Sequence, residues 1–157
     1  ISRAIGVRTP FTKEQQLRWF EDLSAATNKV VFAICEVGSG GHIGNVSLDT
    51  IDQRHKTARL SIFLAESGDR GQGLGTRALN LLCHYAFETL GLRRLYCKTN
   101  AGESKVLRFY ERVGFRVEGT MREHELIDGE YRDKVMLGLL RSEWIELDVA
   151  TNCEPSL

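Results

Sequence analysis

The stretch that most constrains this chain is Leu60 to Leu82, LSIFLAESGDRGQGLGTRALNLL. It opens on a short apolar run (Leu60, Ile62, Phe63, Leu64) with the character of a buried strand. A glycine-dense turn follows, Arg70-Gly71-Gln72-Gly73-Leu74-Gly75. A helical pattern then sets Leu74, Ala78, Leu81, Leu82 and Tyr85 on one face and Arg77, Asn80, His84 and Glu88 on another. Strand, glycine turn and helix together present the N–H groups of a helix N-terminus to an anion. Gly73 and Gly75 fall in the first helical turn, where each costs roughly 1 kcal/mol relative to Ala. No Ser, Thr, Asp or Asn stands at the expected N-cap, so the orphan amides lack a side-chain partner. Two readings stay open: a phosphate cradle, or a tight turn at a crowded strand–helix junction.

Two well-known phosphate loops do not fit. Thr76 follows Gly75 with no lysine between them, which removes the nucleoside-triphosphate loop. The spacing of R-G-Q-G-L-G is also not that of the dinucleotide fingerprint. The whole chain narrows the field further. Its 157 residues suffice for one domain with a proper core. A formal net charge of +0 gives no footprint for nucleic acid or an anionic membrane. No apolar run approaches the roughly 20 residues of a spanning helix, and no signal peptide is visible. Cys35, Cys83, Cys97 and Cys153 form no C-x-x-C pair, and three lie in apolar segments, as reduced thiols of a cytoplasmic protein do. The four histidines lack metal-ligand spacing, so no metal site is expected.

Along the chain, Thr12 and Gln15 form a capping box for a helix to about Leu23, with Leu17 and Phe20 inward. Strands are expected over 29–37, 42–51 and 57–65, an antiparallel meander leading into the glycine turn. After the long helix, Gly91 is placed to end it, and 93–99 reads as a strand reached by a right-handed parallel crossover. A second helix runs from about Glu103 to Arg112 with Val106, Phe109, Tyr110 and Val113 as its apolar stripe. Two last strands flank Asp128-Gly129, a type I′ hairpin signal. The fold class is therefore α/β in the α+β range: a mixed sheet with helices on both faces. Residues 1–145 form a single domain and 146–157 a tail.

The loop R-G-Q-G-L-G resembles the acyl-CoA pyrophosphate loop Q/R-x-x-G-x-G/A of the GNAT superfamily of N-acyltransferases, with Arg70, Gly73 and Gly75 at its fixed positions. Tyr110-Glu111-Arg112-Val113-Gly114-Phe115 is similar to the family's Y-E-x-x-G-F segment, and Asn100 ends the strand before it. Gly119 to Asp133 is similar to the ending of the branch that holds the ribosomal-protein N-terminal and spermidine acetyltransferases. The match covers about Thr12 to Trp144. Relatives carry a strand before the first helix, to which only Ile1 to Ile5 correspond, so residues upstream are expected.

The resemblance implies the GNAT fold and transfer of an acetyl group from acetyl-CoA to an amine by direct attack. The acceptor would be a protein N-terminus, a polyamine or another small-molecule amine; a homodimer is a further implied partner. A non-catalytic CoA-binding module on the same fold is the alternative. By resemblance, Arg70, Gly71, Gln72, Gly73, Leu74, Gly75 and Thr76 hold the pyrophosphate, and backbone groups of Phe63 and Leu64 align the pantetheine. Asn100 and Glu103 are candidates for the cofactor's amide arm; Glu103 also reads as a plain N-terminal helix charge. Tyr110 is the candidate general acid, against a packing role read from its apolar stripe. Relatives place a base glutamate where Arg59 stands here, leaving Glu66, Glu36, Asp133 or a water chain as substitutes. Glu123, Glu125, Asp128 and Asp133 suggest a polyamine pocket, or a solvated hairpin balanced by Arg122, Arg132 and Lys134.

Overall fold

A computed structural model describes residues 12, 14, 15, 17, 18, 21, 26–36, 38–65 and 73–144. Six strands form one sheet: β1 (Val30–Cys35), β2 (His42–Asp52), β3 (Thr57–Leu64), β4 (Arg94–Asn100), β5 (Arg116–Ile127) and β6 (Glu130–Leu140). Two helices are described in full, α1 (Leu74–His84) and α2 (Ser104–Arg112). The sheet order is β1-β2-β3-β4-β6-β5, antiparallel throughout except for the parallel β3–β4 pair. The meander, the crossover through α1 and the closing hairpin thus stand where the residue pattern puts them. The β5–β6 turn has Asp128 at φ 49° and Gly129 at φ 83°, the two positive values a type I′ turn demands. The capping box forms as well: Thr12 N–H donates to Gln15 Oε1 at 2.9 Å and Gln15 N–H to Thr12 Oγ1 at 3.2 Å.

The core lies between one face of the sheet and the two helices. Leu48, Leu60, Leu95, Leu137 and Leu139 rise from alternate strand positions to meet Leu79, Leu82, Phe87 and Phe115. Burying a leucine this fully is worth about 1.5–3 kcal/mol. Trp144 closes one end against Phe87, ring centroids 5.4 Å apart. The expected tail, 146–157, and the expected first strand lie outside the described residues, as do those residues between 13 and 25 on which a helix on the second face turns.

Two details of helix orientation differ from the sequence reading. The buried stripe of α1 is Gly75, Leu79, Leu82 and Cys83, one residue on from the expected one, and Leu81 is 72% exposed. The cause is Gly75, which packs inward and turns the helix by about 100° relative to a face centred on Leu74. Leu17, expected inward, is 55% exposed, on one side of its helix with the exposed Glu14, Arg18 and Glu21. Phe20 lies outside the described residues. Beyond His84 the chain widens into a π-helical turn, Tyr85–Thr89, where Leu90 N–H reaches Tyr85 O at 3.0 Å.

Candidate active site

The parallel ladder between β3 and β4 is short. Thr57, Ala58 and Arg59 pair with Arg94, Leu95 and Tyr96, and there it stops. β3 continues to Leu64 on the β2 side and β4 to Asn100 on the β6 side, so the two strands part and leave a gap in the middle of the sheet. Ala65 N–H donates to Ile43 O at 2.8 Å, which fixes the alternation along β3. Residues 61, 63 and 65 direct their backbone groups to β2, Leu60 directs its N–H to β4 in the last rung of the parallel ladder, and Ile62 and Leu64 direct theirs into the gap. Of the two residues expected to offer backbone groups, Leu64 therefore faces the gap and Phe63 faces β2; Ile62 joins Leu64.

The N-terminus of α1 stands beside the end of β3. Gly73 is its N-cap at φ 76°, a left-handed conformation that glycine takes without a Cβ penalty. Among the described residues no side chain caps the helix, and its first turn holds no acid. Arg77 N–H is the donor that closes the first turn on Gly73 O, at 2.9 Å, which leaves the amides of Leu74, Gly75 and Thr76 without intrahelical acceptors. Gly75 is buried for a different reason. A Cβ there would stand 3.0 Å from Leu64 Cδ1 and 3.4 Å from Phe109 Cε2. One glycine shapes the turn and the other lets β3, α1 and α2 converge. Arg70, Gly71, Gln72 and Glu66 lie outside the described residues.

Tyr110 projects from α2 into this junction. It is 6% exposed and edge-on to Phe109 and Phe115, at centroid separations of 5.3 and 5.5 Å. Its hydroxyl lies beside the thiol of Cys97 on β4; burial first, and that thiol second, hold the phenol well above its ordinary range. Burial likewise pushes the Cys97 thiol up to about 12. Both groups are thus neutral at physiological pH. Asn100, at the end of β4, holds a buried Oδ1 with no hydrogen-bond donor among the described residues. An orphaned acceptor of this kind costs about 1–3 kcal/mol unless something else supplies the N–H. Glu103 is the N-cap residue of α2 but its side chain caps nothing and is exposed.

Two of the substitutes for the missing base, Glu36 and Asp133, fall among the described residues. Glu36 accepts a hydrogen bond from Ser39 Oγ in the β1–β2 turn. Asp133 sits beside the end of β4, its carboxylate accepting Glu123 N–H at 2.8 Å and its carbonyl accepting Ala101 N–H at 3.0 Å. Arg59 does not stand alone, which sequence reasoning missed. Directly across the ladder on β2 is Asp49, 8% exposed, with Oδ1 3.1 Å from Lys29 Nζ and Oδ2 3.6 Å from the Arg59 guanidinium. Ser47 Oγ donates to the same carboxylate at 3.2 Å. The sole sign in sequence was an aspartate inside an otherwise half-apolar strand. In the last hairpin, Glu125 pairs with Lys134 at 2.9 Å and Glu130 with Arg132, which supports the balanced-face reading of those charges.

A mixed sheet parted between parallel strands, with a glycine-led helix on one side and a buried tyrosine on the other, is the architecture of the N-acyltransferase class. The chain belongs to the GNAT acetyltransferase domain family, whose model matches residues 1–116. It is 30% identical over 106 residues to the spermidine N(1)-acetyltransferase of Escherichia coli, a match that spans 68% of this chain and 56% of that protein. It is 32% identical over 91 residues to the ribosomal-protein-serine acetyltransferase of the same organism, spanning 58% of this chain and 50% of the relative. The chain thus covers about half the length of these curated relatives. The dodecameric spermidine N-acetyltransferase of Vibrio cholerae has the same fold: TM-score 0.80 at 24% identity, over 88% of this chain and 81% of the other.

Proposed function

We propose that this chain moves an acetyl group from acetyl-CoA to a primary amine by direct attack within a ternary complex. The parting of β3 from β4, with donors and acceptors left open on its edges, carries the reading. The amides of Leu74, Gly75 and Thr76 would take the pyrophosphate, together with Arg70, Gly71, Gln72 and Gly73 of the turn. Ile62 and Leu64 would pair with the extended pantetheine as an added strand does. Asn100 fits the same ligand, because its orphaned Oδ1 requires an amide donor of the kind a pantetheine arm carries. Glu103 would stand at the outer end of that arm. A thioester supplies an already activated acyl group, so no enzyme nucleophile is required.

In the transfer the amine nitrogen bonds to the carbonyl carbon and the C–S bond breaks. Tyr110 donates a hydrogen bond to the departing sulfur and its proton as that bond opens, and is reprotonated from solvent. Its raised pKa keeps the phenol protonated, and so a hydrogen-bond donor to the sulfur, throughout the working range. The surplus proton of the attacking nitrogen leaves to water. Unpaired thiols at Cys35, Cys83 and Cys97 suit a reducing cytoplasm. Assembly with further copies of the chain belongs to the same proposal, in line with the dodecamer of the Vibrio cholerae protein.

A thermal-shift comparison of acetyl-CoA, CoA, ATP and NAD tests the ligand. At ~100 times its dissociation constant a ligand adds about 2.7 kcal/mol to stability. Both CoA species should raise Tm, while ATP and NAD leave it unchanged. Tyr110→Phe should keep the CoA shift and lose about 10²–10³ in kcat for thiol release with an accepted amine. No shift with either CoA species would overturn the ligand assignment, and full turnover by the phenylalanine variant would remove Tyr110 from the chemistry.

A further inference from the structure

The face of the sheet turned away from α1 and α2 carries the charges at the mouth of the gap. Side chains alternate along each strand, so Arg59 on β3 and Lys98 on β4 lie opposite the core residues Leu60 and Cys97 and share this second face. Arg59 pairs with Tyr96 in the last rung of the parallel ladder, so Arg59 and Lys98 flank the start of the gap from its two sides. Three carboxylates on this face are each taken by a cation: Asp49 by Lys29, Glu118 by Arg94 and Glu125 by Lys134. Arg59 reaches Asp49 only at 3.6 Å, behind Lys29 at 3.1 Å. Lys98 is half-buried, and among the described residues its ammonium makes no ion pair. Among the described residues the face therefore keeps a positive excess, and it stands at the gap.

We infer that the acceptor amine carries an anionic group, a carboxylate or a phosphate, a few bonds from its nitrogen and bound between Arg59 and Lys98. The inference rests on the acyl-transfer reading above. With Tyr110, Cys97 and both helices filling the core side of the gap, an amine must approach the thioester from the second face, past these two cations. A polyamine would bring its remaining ammonium groups into a field of the same sign. An anionic group gains the planar fork of Arg59 and the point charge of Lys98. The same two cations disfavour the ammonium form of the reacting nitrogen, which lessens the need for a carboxylate base where Arg59 stands.

Matched acceptors test this on the full chain: phosphoethanolamine against ethanolamine, β-alanine against β-alaninamide, and spermidine beside them. The anionic member of at least one pair should exceed its neutral partner by about tenfold in kcat/KM, and exceed spermidine as well. Which pair separates tells phosphate from carboxylate. Lys98→Glu should reverse the order in favour of spermidine while the CoA-induced rise in Tm persists, showing that the fold and the cofactor site remain. Parity within both pairs, a preference of the wild type for spermidine, or an order that Lys98→Glu leaves unmoved would overturn the inference. With the CoA shift intact, any of these leaves acyl transfer standing. Absence of both the CoA shift and thiol release with every amine would overturn acyl transfer and this inference with it.

Discussion

Gly73 and Gly75 lie two residues apart and serve different ends. At φ 76° the backbone of Gly73 sits where a Cβ costs about 1–2 kcal/mol, although among the described residues nothing lies within 4 Å of the space that Cβ would fill. Gly73→Ala should therefore lower stability by about 1 kcal/mol, a Tm shift of about 2–4 °C in a domain of this size. Gly73→Asn should lose less, because Asn tolerates the left-handed region. Equal losses would mean that crowding rather than backbone conformation selects the glycine. Tyr110 makes a second residue-scale case. A phenol held above its usual range contributes stability that is full below pH about 10 and is lost as pH rises through its folded value. Activity should follow the same sign. The kcat/KM profile should climb with pH as the acceptor amine deprotonates, with no descending limb from Tyr110 below pH about 10. A basic limb near pH 8 that disappears in Tyr110→Phe would contradict the raised pKa.

Among the elements, β4, β6 and β5 are tied across their second face by the two-pronged contact of Arg94 with Glu118, which passes over Gly138 of the strand between them. The Arg94 guanidinium holds the Glu118 carboxyl below its usual range. A carboxyl with a depressed folded pKa adds stability above its unfolded value, near 4.3, and loses it as pH falls through the folded value. Both side chains are about a quarter to a third exposed, so solvent screening limits the contribution to about 1 kcal/mol. Glu118→Gln should cost that much at pH 7 by denaturant melts, with wild type and variant converging below pH about 4. A gap that stayed constant as pH fell through the acid range would point to packing over Gly138 instead of charge. Elements governed by neighbouring residues were legible in the sequence, as the Thr12–Gln15 box, the Asp128-Gly129 turn and the stripe of α2 show. The burial of Asp49 was not, because its partners come from β3 and from the segment before β1. The rotation of α1 was hidden for a similar reason, since a helical wheel gives Gly75 no weight and Leu81 much.

For the whole molecule the decisive feature is the parting of β3 from β4, which no local pattern encodes. Sequence read the parallel crossover correctly, yet the number of rungs depends on β2 and β6 pulling the two strands in different directions. Asn100, picked from its place before α2, turned out to bear the orphaned acceptor; Ile62 was passed over because backbone direction needs a register. That register yields a discriminating test of what fills the gap. The Leu64 N–H points into the gap and makes no bond to β2, whereas the Phe63 N–H belongs to the β2–β3 ladder. Leu64→Pro should therefore spare the ladder, while Phe63→Pro should leave a ladder acceptor unpaired and cost about 1–3 kcal/mol. Leu64 also packs beside Gly75 and Phe109, so Leu64→Ala serves as the reference for lost side-chain contact. Relative to that alanine variant, the proline should bind CoA about tenfold more weakly by calorimetry, the worth of one hydrogen bond near 1.4 kcal/mol. Equal affinity in the two variants would mean that a ligand in the gap does not pair with β3, and that the parted strands accommodate it by shape alone.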